Sequence, residues 1–263
     1  MTKRKRSGFP RARPSLLILV GTWACIPVAH AYHPLVTDDS GTQGGGGNQL
    51  ELGYDYGRSE AAGVTRIERA IPFTYTRGLT NNLDVFAGVA RQTSPGAGWG
   101  NVGIGAKWRV FENEAARFSL ALKPEILLPV SRAKEAAGFG NGKTSYGLAL
   151  ILTRETDFGE VHVNLAAERG NYTDTVTFPE RKNRYRLSLA PVWAAAEGWK
   201  LALDMGIQTN PDPAERSRMG YLALGAVYSP GEDLDLSFGV TRDVMDGAVS
   251  TTSATFGLTW RFH

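Results

Sequence analysis

Apolar and polar side chains alternate along most of the chain after residue 47. In the stretch NQLELGYDY (48–56), Leu50, Leu52, Tyr54 and Tyr56 alternate with polar residues or glycine. A period of two places successive side chains on opposite faces of a β-strand, so the stretch predicts a strand with one apolar face. Eleven further predicted strands include residues 71–75, 83–89, 102–108, 118–128, 146–152, 161–165, 185–189, 199–207, 222–228, 234–240 and 256–262.

The connections between these strands alternate in length. Even-numbered strands are followed by the compact turns GLTNN, FENEA, TDFGE, AAEG and SPGED, and odd-numbered ones by longer polar segments such as SRAKEAAGFGNGK. Short periplasmic turns and long outer loops are typical of a transmembrane β-barrel. We therefore predict an all-β fold, a transmembrane antiparallel barrel of about 12 strands over residues 48–263. A periplasmic sandwich or soluble barrel has the same period of two and is the alternative.

The C-terminal stretch TTSATFGLTWRFH favours the membrane barrel. It places Ala254, Phe256, Leu258, Trp260 and Phe262 on one face, with His263 after the last aromatic residue. This arrangement resembles the terminal strand that outer-membrane barrels present to their assembly machinery. We expect that machinery and outer-membrane lipid as partners, in the outer membrane of a bacterial cell.

The first 47 residues predict export and a linker. Six cations without an acid precede an apolar run from Leu16 to Val28 and the sequence Ala29-His30-Ala31, which is typical of a cleaved secretory signal peptide over 1–31. Residues 32–47, with four glycines at 44–47, predict a flexible periplasmic segment. Cleavage would remove Cys25, the only cysteine, and would leave 23 of the 29 Lys and Arg against 26 Asp and Glu. The basic balance of the whole chain therefore does not indicate nucleic acid binding.

The polar face of the predicted strands should line the barrel lumen. A cation facing lipid at the bilayer midplane costs about 2–4 kcal/mol, whereas charges inside a barrel meet water and each other. These charged side chains either line an open aqueous pore or form a network of ion pairs that closes the lumen. The number of strands does not decide between the two possibilities. The predicted lumen-lining residues are Glu51, Asp55, Glu68, Lys107, Arg109, Lys123, Glu125, His162, Glu168, Arg184, Arg186, Lys200, Asp204 and Asp235.

Catalytic and metal chemistry have little support in the sequence. The chain after residue 31 has three histidines, His33, His162 and His263, and none has a serine at a spacing that suggests a nucleophile and base. Asp38 and Asp39 begin a stretch that lacks the later acidic ligands of a calcium loop. A phosphate-binding loop follows a strand, whereas the glycines at 44–47 do not. We expect no enzyme activity, no cofactor and no metal.

The stretch HPLVTDDSGTQG (33–44), followed by NQLELGYDY, resembles the start of an outer-membrane transporter family of the meta-pathway of phenol degradation. The resemblance implies an outer-membrane barrel associated with the catabolism of aromatic compounds. The resulting hypothesis is passive uptake of small aromatic solutes, which could stack on Phe86, Phe139 or Tyr172. The alternative is a closed barrel with a structural or surface-binding role.

Overall fold

The computed structural model describes residues 33–61, 63–173, 180–245 and 249–263. The predicted signal peptide lies outside these ranges. Within them the strands are β1 (Asn48–Ala61), β2 (Val64–Thr80), β3 (Leu83–Ser94), β4 (Gly98–Trp99), β5 (Gly103–Asn113), β6 (Phe118–Leu127), β7 (Ser145–Thr156), β8 (Gly159–Arg169), β9 (Asn183–Ala196), β10 (Trp199–Thr209), β11 (Arg218–Tyr228), β12 (Leu234–Asp243) and β13 (Val249–Phe262). The helix α1 (Arg132–Ala136) lies between β6 and β7. No helix of the described ranges is long and apolar enough to cross a membrane.

Twelve of these strands form one closed antiparallel barrel. Each pairs with its sequence neighbours, and β1 also pairs with β13, from Asn48 opposite Phe262 to Ala61 opposite Val249. The two-residue β4 pairs only with the outer part of β3, where Trp99 lies opposite Arg91. The predicted 12-stranded barrel is therefore confirmed, with β4 as an extra strand outside the alternating pattern.

The two ends of the barrel differ in their connections. The turn end carries both ends of the barrel chain, Asn48 and Phe262, and the short turns after β2, β5, β7, β9 and β11. The loop end carries the connections from β3 to β5, β6 to β7, β8 to β9, β10 to β11 and β12 to β13. One connection differs from the predicted long loop: β1 and β2 are joined by residues 62–63 alone. The polar residues between the two predicted strands pair across the hairpin, for example Ser59 with Arg66, so β1 and β2 are longer than predicted.

The wall has the polarity that the sequence pattern predicts. Most large apolar side chains of the strands point outward and are exposed, as Leu224 is at 64%, whereas a few, such as Phe86 and Ile151, are buried on the inner face. Polar side chains at the alternate positions point inward, and Asp84, His162 and Asp204 are almost fully buried. An apolar exterior around a polar interior is the arrangement of a transmembrane barrel, because the exterior contacts lipid and the interior contacts water or protein.

Candidate functional site in the barrel interior

Residues 33–47, called the N-terminal segment below, run inside the barrel. The segment makes side-chain hydrogen bonds with β3, β6, β7, β10, β12 and β13. These bonds join Gln43 to Asp84, Ser40 to Ser119 and Thr153, Thr37 to Asp204, and His33 to Ser237 and Thr255. Partners on all sides of a closed barrel can be reached only from within it. The prediction of a flexible periplasmic linker is wrong for the described residues, because these side chains bind the wall.

A buried ionic cluster anchors the middle of the segment. The two carboxylate oxygens of Asp38 lie 2.6 Å from the Lys123 ammonium and 3.0 Å from the Lys107 ammonium. Lys107 also donates to the Asp39 carbonyl at 3.1 Å. Burial disfavours the Asp38 carboxylate, but the two ammonium groups and their hydrogen bonds outweigh it and lower the pKa of Asp38. The segment therefore places a carboxylate between these two wall lysines.

A second anchor holds the segment on the opposite wall, at Asp204 of β10. Its carboxylate accepts from the backbone N–H groups of Val36 (2.6 Å) and Thr37 (2.8 Å) and from the Thr37 hydroxyl (2.7 Å). The Tyr221 hydroxyl donates to the same carboxylate at 3.0 Å. Four donors satisfy a carboxylate that has no exposed surface, so Asp204 fixes the path of the segment.

The first described residues lie against a glycine-lined part of the wall. A Cβ on Gly239 would lie 2.9 Å from the Pro34 Cβ, and one on Gly225 would lie 2.9 Å from the Pro34 Cγ. Gly225 and Gly239 are paired opposite each other on β11 and β12, so they form one continuous recess. Glycine inside a strand indicates a close backbone approach, and this signal in the sequence points to the docked segment.

Hydrogen bonds fix the imidazole of His33 at the end of this recess. Thr255 donates its hydroxyl proton to Asp55 at 2.7 Å, so at 3.0 Å it accepts from the His33 Nε2. The His33 Nδ1 lies 2.6 Å from the Ser237 hydroxyl oxygen. His33 is thus a structural contact between the segment and β12 and β13.

A cavity of about 320 Å³, called the vestibule below, lies between the N-terminal segment and the loop end. His33, Pro34, Leu35 and Val36 form part of its surface. Its remaining lining includes Asp55, Glu68, Glu168, Arg184, Arg186, Gln208, Tyr221 and Phe139. The volume is at the lower end of the range for small-molecule pockets, about 300–1,000 Å³.

The two vestibule arginines of β9 differ in their partners. Arg184 lies 3.4 Å from the Glu168 carboxylate and 3.5 Å from that of Glu180. Arg186 has no ion pair with a described residue, and its buried Nε has no hydrogen-bond partner there. An inward guanidinium without an acidic partner can donate to an anionic group in the cavity.

Loop-end connections are tied to one another above the vestibule. One Glu135 oxygen accepts from the backbone N–H groups of Gly142 (2.7 Å) and Thr173 (2.8 Å), which joins two loops. The Tyr172 hydroxyl donates to Glu180 at 2.6 Å, and burial together with this carboxylate raises the pKa of Tyr172. Tyr172 is therefore a neutral donor that holds its loop.

The predicted lumen-lining residues all occupy inward positions but do not form a single site. Asp55, Glu68, Glu168, Arg184 and Arg186 line the vestibule. Lys107, Lys123 and Asp204 bind the N-terminal segment. Glu51 and Glu125 are buried in the wall, and the buried His162 contacts Thr153 at 3.0 Å. Towards the turn end, Arg109 pairs with Glu112 (3.1 Å), Lys200 with Glu160 (3.9 Å) and Asp235 with Arg261 (2.5 Å).

Sequence reasoning missed the residues that bind this wall from inside. The sequence around Asp38 and Asp39 suggests only an incomplete calcium loop, whereas in the structure the two residues face lysines. Among the described residues, no group of three His, Cys, Asp or Glu side chains could hold a metal ion. Of the three aromatic residues expected to stack on a solute, Phe139 lines the vestibule, whereas Phe86 is buried with its ring 5.2 Å from the Lys123 ammonium.

The chain matches the protein family described as "Putative MetA-pathway of phenol degradation" over residues 35–262. It therefore belongs to that family, and the resemblance at its N-terminal stretch is confirmed. No curated protein matches the chain.

Solved outer-membrane proteins share the barrel. The COG4313 outer membrane channel from Pseudomonas putida F1 aligns with a TM-score of 0.68 and 12% identity, covering 85% of this chain and 98% of the channel. The NanC porin aligns with a TM-score of 0.59 and 12% identity, over 80% of this chain and 98% of the porin. The KdgM porin aligns with a TM-score of 0.54 and 11% identity, over 80% of this chain and 99% of the porin. At these identities the likeness is one of fold.

Proposed function

We propose that this protein is an outer-membrane channel for passive uptake of small aromatic compounds, in particular aromatic acids. The observation that carries the proposal is the vestibule, a cavity of about 320 Å³ at the loop end of a closed barrel, above the N-terminal segment. In transmembrane barrels the long loops face the outside of the cell and the short turns face the periplasm. A solute would therefore enter through the vestibule and move down its own gradient.

The chemistry of the vestibule suits a flat ring that carries an anion. Phe139 offers a ring, which lies so close to Gly98 that a Cβ there would be 2.6 Å from its ring atoms. Arg186 offers a guanidinium with no acidic partner among the described residues. Offset stacking and a charge-assisted hydrogen bond are separate attractions, and an aromatic carboxylate uses both.

The N-terminal segment is the constriction in this proposal. It crosses the interior between the vestibule and the turn end and is held at Asp38 and Asp204. A narrow path past polar side chains favours small solutes over large ones. Exchange of the segment between its docked position and a released one would widen the path.

Flux into proteoliposomes tests the proposal. The refolded chain without residues 1–31 is inserted into phospholipid vesicles, and uptake of benzoate at pH 7 is compared with that of cyclohexanecarboxylate and glucose. Protein-free vesicles give the background uptake of the neutral acid, which is a small fraction at this pH but crosses lipid readily, and we expect faster uptake than this background. We also expect benzoate to exceed cyclohexanecarboxylate, because only the aromatic acid can stack.

A structural or surface-binding role is the second candidate. The loop-end connections favour it, because the Arg181 guanidinium donates to the carbonyl oxygens of Asn210 (2.8 Å), Glu215 (2.9 Å) and Pro213 (3.2 Å) of the neighbouring loop. Such ties present a fixed surface. Vesicles that contain folded protein, as shown by different gel mobility before and after boiling, but take up benzoate no faster than empty vesicles would support this role and overturn the channel.

A further inference from the structure

Six strands carry an arginine in their outward row near the loop end. The six side chains are exposed and lie at the same alternate positions as the outward apolar residues of their strands. In β2, for example, Arg69 follows the outward row of Tyr75, Phe73 and Ile71. The six, called the arginine belt below, are Arg58, Arg69, Arg91, Arg169, Arg218 and Arg242.

Strand register brings four members of the belt together on β12, β1, β2 and β3. Arg242 and Arg58 are both opposite Thr252, so they lie in one row, two strands apart. Arg69 is opposite Tyr56, two residues below Arg58, and Arg91 is opposite Ile71, two residues below Arg69. Diagonal neighbours of this kind are about 7–8 Å apart. The downward steps follow the strand tilt, so the four guanidinium groups share one level of the outer surface.

Aromatic rings orient two of these guanidinium groups. Arg69 lies 5.9 Å from the centre of the Tyr56 ring, and Arg91 lies 5.6 Å from that of Trp99. An arginine that rests on a ring keeps the N–H groups at its edge available to an acceptor. Among outward strand residues at this level, Glu60 beside Arg58 is the single acid in the described part of the chain.

The turn end has the opposite charge. Its exposed acidic residues are Glu112, Glu114, Glu155, Asp157, Glu197, Glu232 and Asp233. Its exposed arginines in the described residues are Arg77, Arg117 and Arg154. The cationic level is thus confined to the boundary between the apolar band and the loops.

We propose that the arginine belt binds the phosphate groups of lipid A in the outer leaflet. The belt stands at the loop-end edge of the apolar band, where headgroups of that leaflet meet the barrel. Planar guanidinium groups bind phosphate oxygens in a bidentate manner, and each basic residue at an anionic membrane surface contributes about fivefold in affinity, the equivalent of about 1 kcal/mol. The acidic turn end would repel the same lipid.

Lipid titration of the purified barrel tests this. The refolded chain in neutral detergent is titrated with bisphosphorylated lipid A and with the same lipid lacking both phosphates, and the bound lipid is counted by native mass spectrometry. We expect the phosphorylated lipid to bind at least about 25-fold more tightly. The double variant Arg69→Gln/Arg91→Gln should weaken its binding about 25-fold, at fivefold per arginine, and leave binding of the other lipid unchanged.

The turn end supplies the matched control, Arg117→Asn/Arg154→Gln, with asparagine at 117 because that residue has a φ of 49°. We expect this control to retain wild-type affinity. A second belt variant, Arg169→Gln/Arg218→Gln on another part of the wall, replaces the first if that one does not refold. Equal affinity for the two lipids, or equal losses in the belt and turn-end variants, would overturn the proposal.

Discussion

The two halves of the barrel interior contain the same kinds of side chain in different states. Between the middle of the barrel and the turn end, wall charges bind the N-terminal segment, as Lys107 and Lys123 bind Asp38. Towards the loop end, the wall surrounds a cavity, and Arg186 has no acidic partner among the described residues. Both halves are lined by strands in which apolar and polar side chains alternate in the same way. The difference between them therefore lies in what occupies the interior.

This comparison shows that strand pattern fixes the wall but leaves the state of the lumen open. A 12-stranded barrel is wider than eight-stranded barrels that side chains fill, and narrower than porins of 16–18 strands that hold an aqueous channel. Here a piece of the same chain fills part of that width. The variants below remove or weaken the segment, or change the half that it leaves open.

Deletion of residues 33–43 should give the largest effect. The wall would remain, because β1 begins at Asn48 and its pairing with β13 and β2 does not use the deleted residues. The interior would lose the chain that crosses it, so we expect a single-channel conductance several times that of the wild type in planar bilayers. An unchanged conductance in a folded variant would show that the segment does not limit the path.

Asp38→Asn should weaken the same constriction without removing it. Lys107 and Lys123 would keep their charges and lose the carboxylate between them, and removal of one partner from a buried ion pair costs about 3–5 kcal/mol. We expect frequent openings to the conductance of the deletion variant, together with a lower unfolding temperature.

Asp39→Asn is the matched control for that experiment. The Asp39 carboxylate is more exposed and lies 3.8 Å from Lys107, so its loss should matter much less. Similar behaviour of the two variants would mean that general charge, rather than the buried cluster, holds the segment.

The sequence predicted the wall far better than its contents. Residues such as Leu50, Leu52 and Tyr54 show the period of two directly, because lipid and lumen impose it on each strand separately. The contacts of Asp38 reach residues 69 and 85 positions away, and no local pattern encodes them. The composition of residues 32–47 is that of a linker, and folding onto the wall overrides it. The glycines of β11 and β12 were the available signal, since they sit at inward positions.

A side chain in the glycine recess should displace the start of the segment. The would-be Cβ of Gly239 lies 2.9 Å from Pro34 Cβ and 3.3 Å from its carbonyl oxygen, so Gly239→Val cannot fit unless Pro34 moves. We expect a conductance between those of the wild type and the deletion variant.

Gly57→Ala serves as the control for this change. Gly57 also faces the vestibule, and a Cβ there would meet its nearest neighbour at 3.9 Å, an ordinary contact. Wild-type conductance in both variants would show that the recess is not needed to seat the segment.

The smallest expected effect concerns the vestibule, the half of the interior that the N-terminal segment leaves open. Arg186→Gln removes the vestibule cation that lacks an acidic partner, while Lys200→Gln removes an inward cation near the turn end that lies 3.9 Å from Glu160. A hydrogen bond to a charged group is worth about 1.5–3 kcal/mol, so the first variant should weaken benzoate binding about tenfold or more, measured by current block. Block by phenol, which is neutral at pH 7, should not change, and the Lys200 variant should resemble the wild type with both solutes. An equal loss for phenol and benzoate would mean that Arg186 shapes the cavity rather than binds the carboxylate, and the two halves of the interior would then differ in space but not in chemistry.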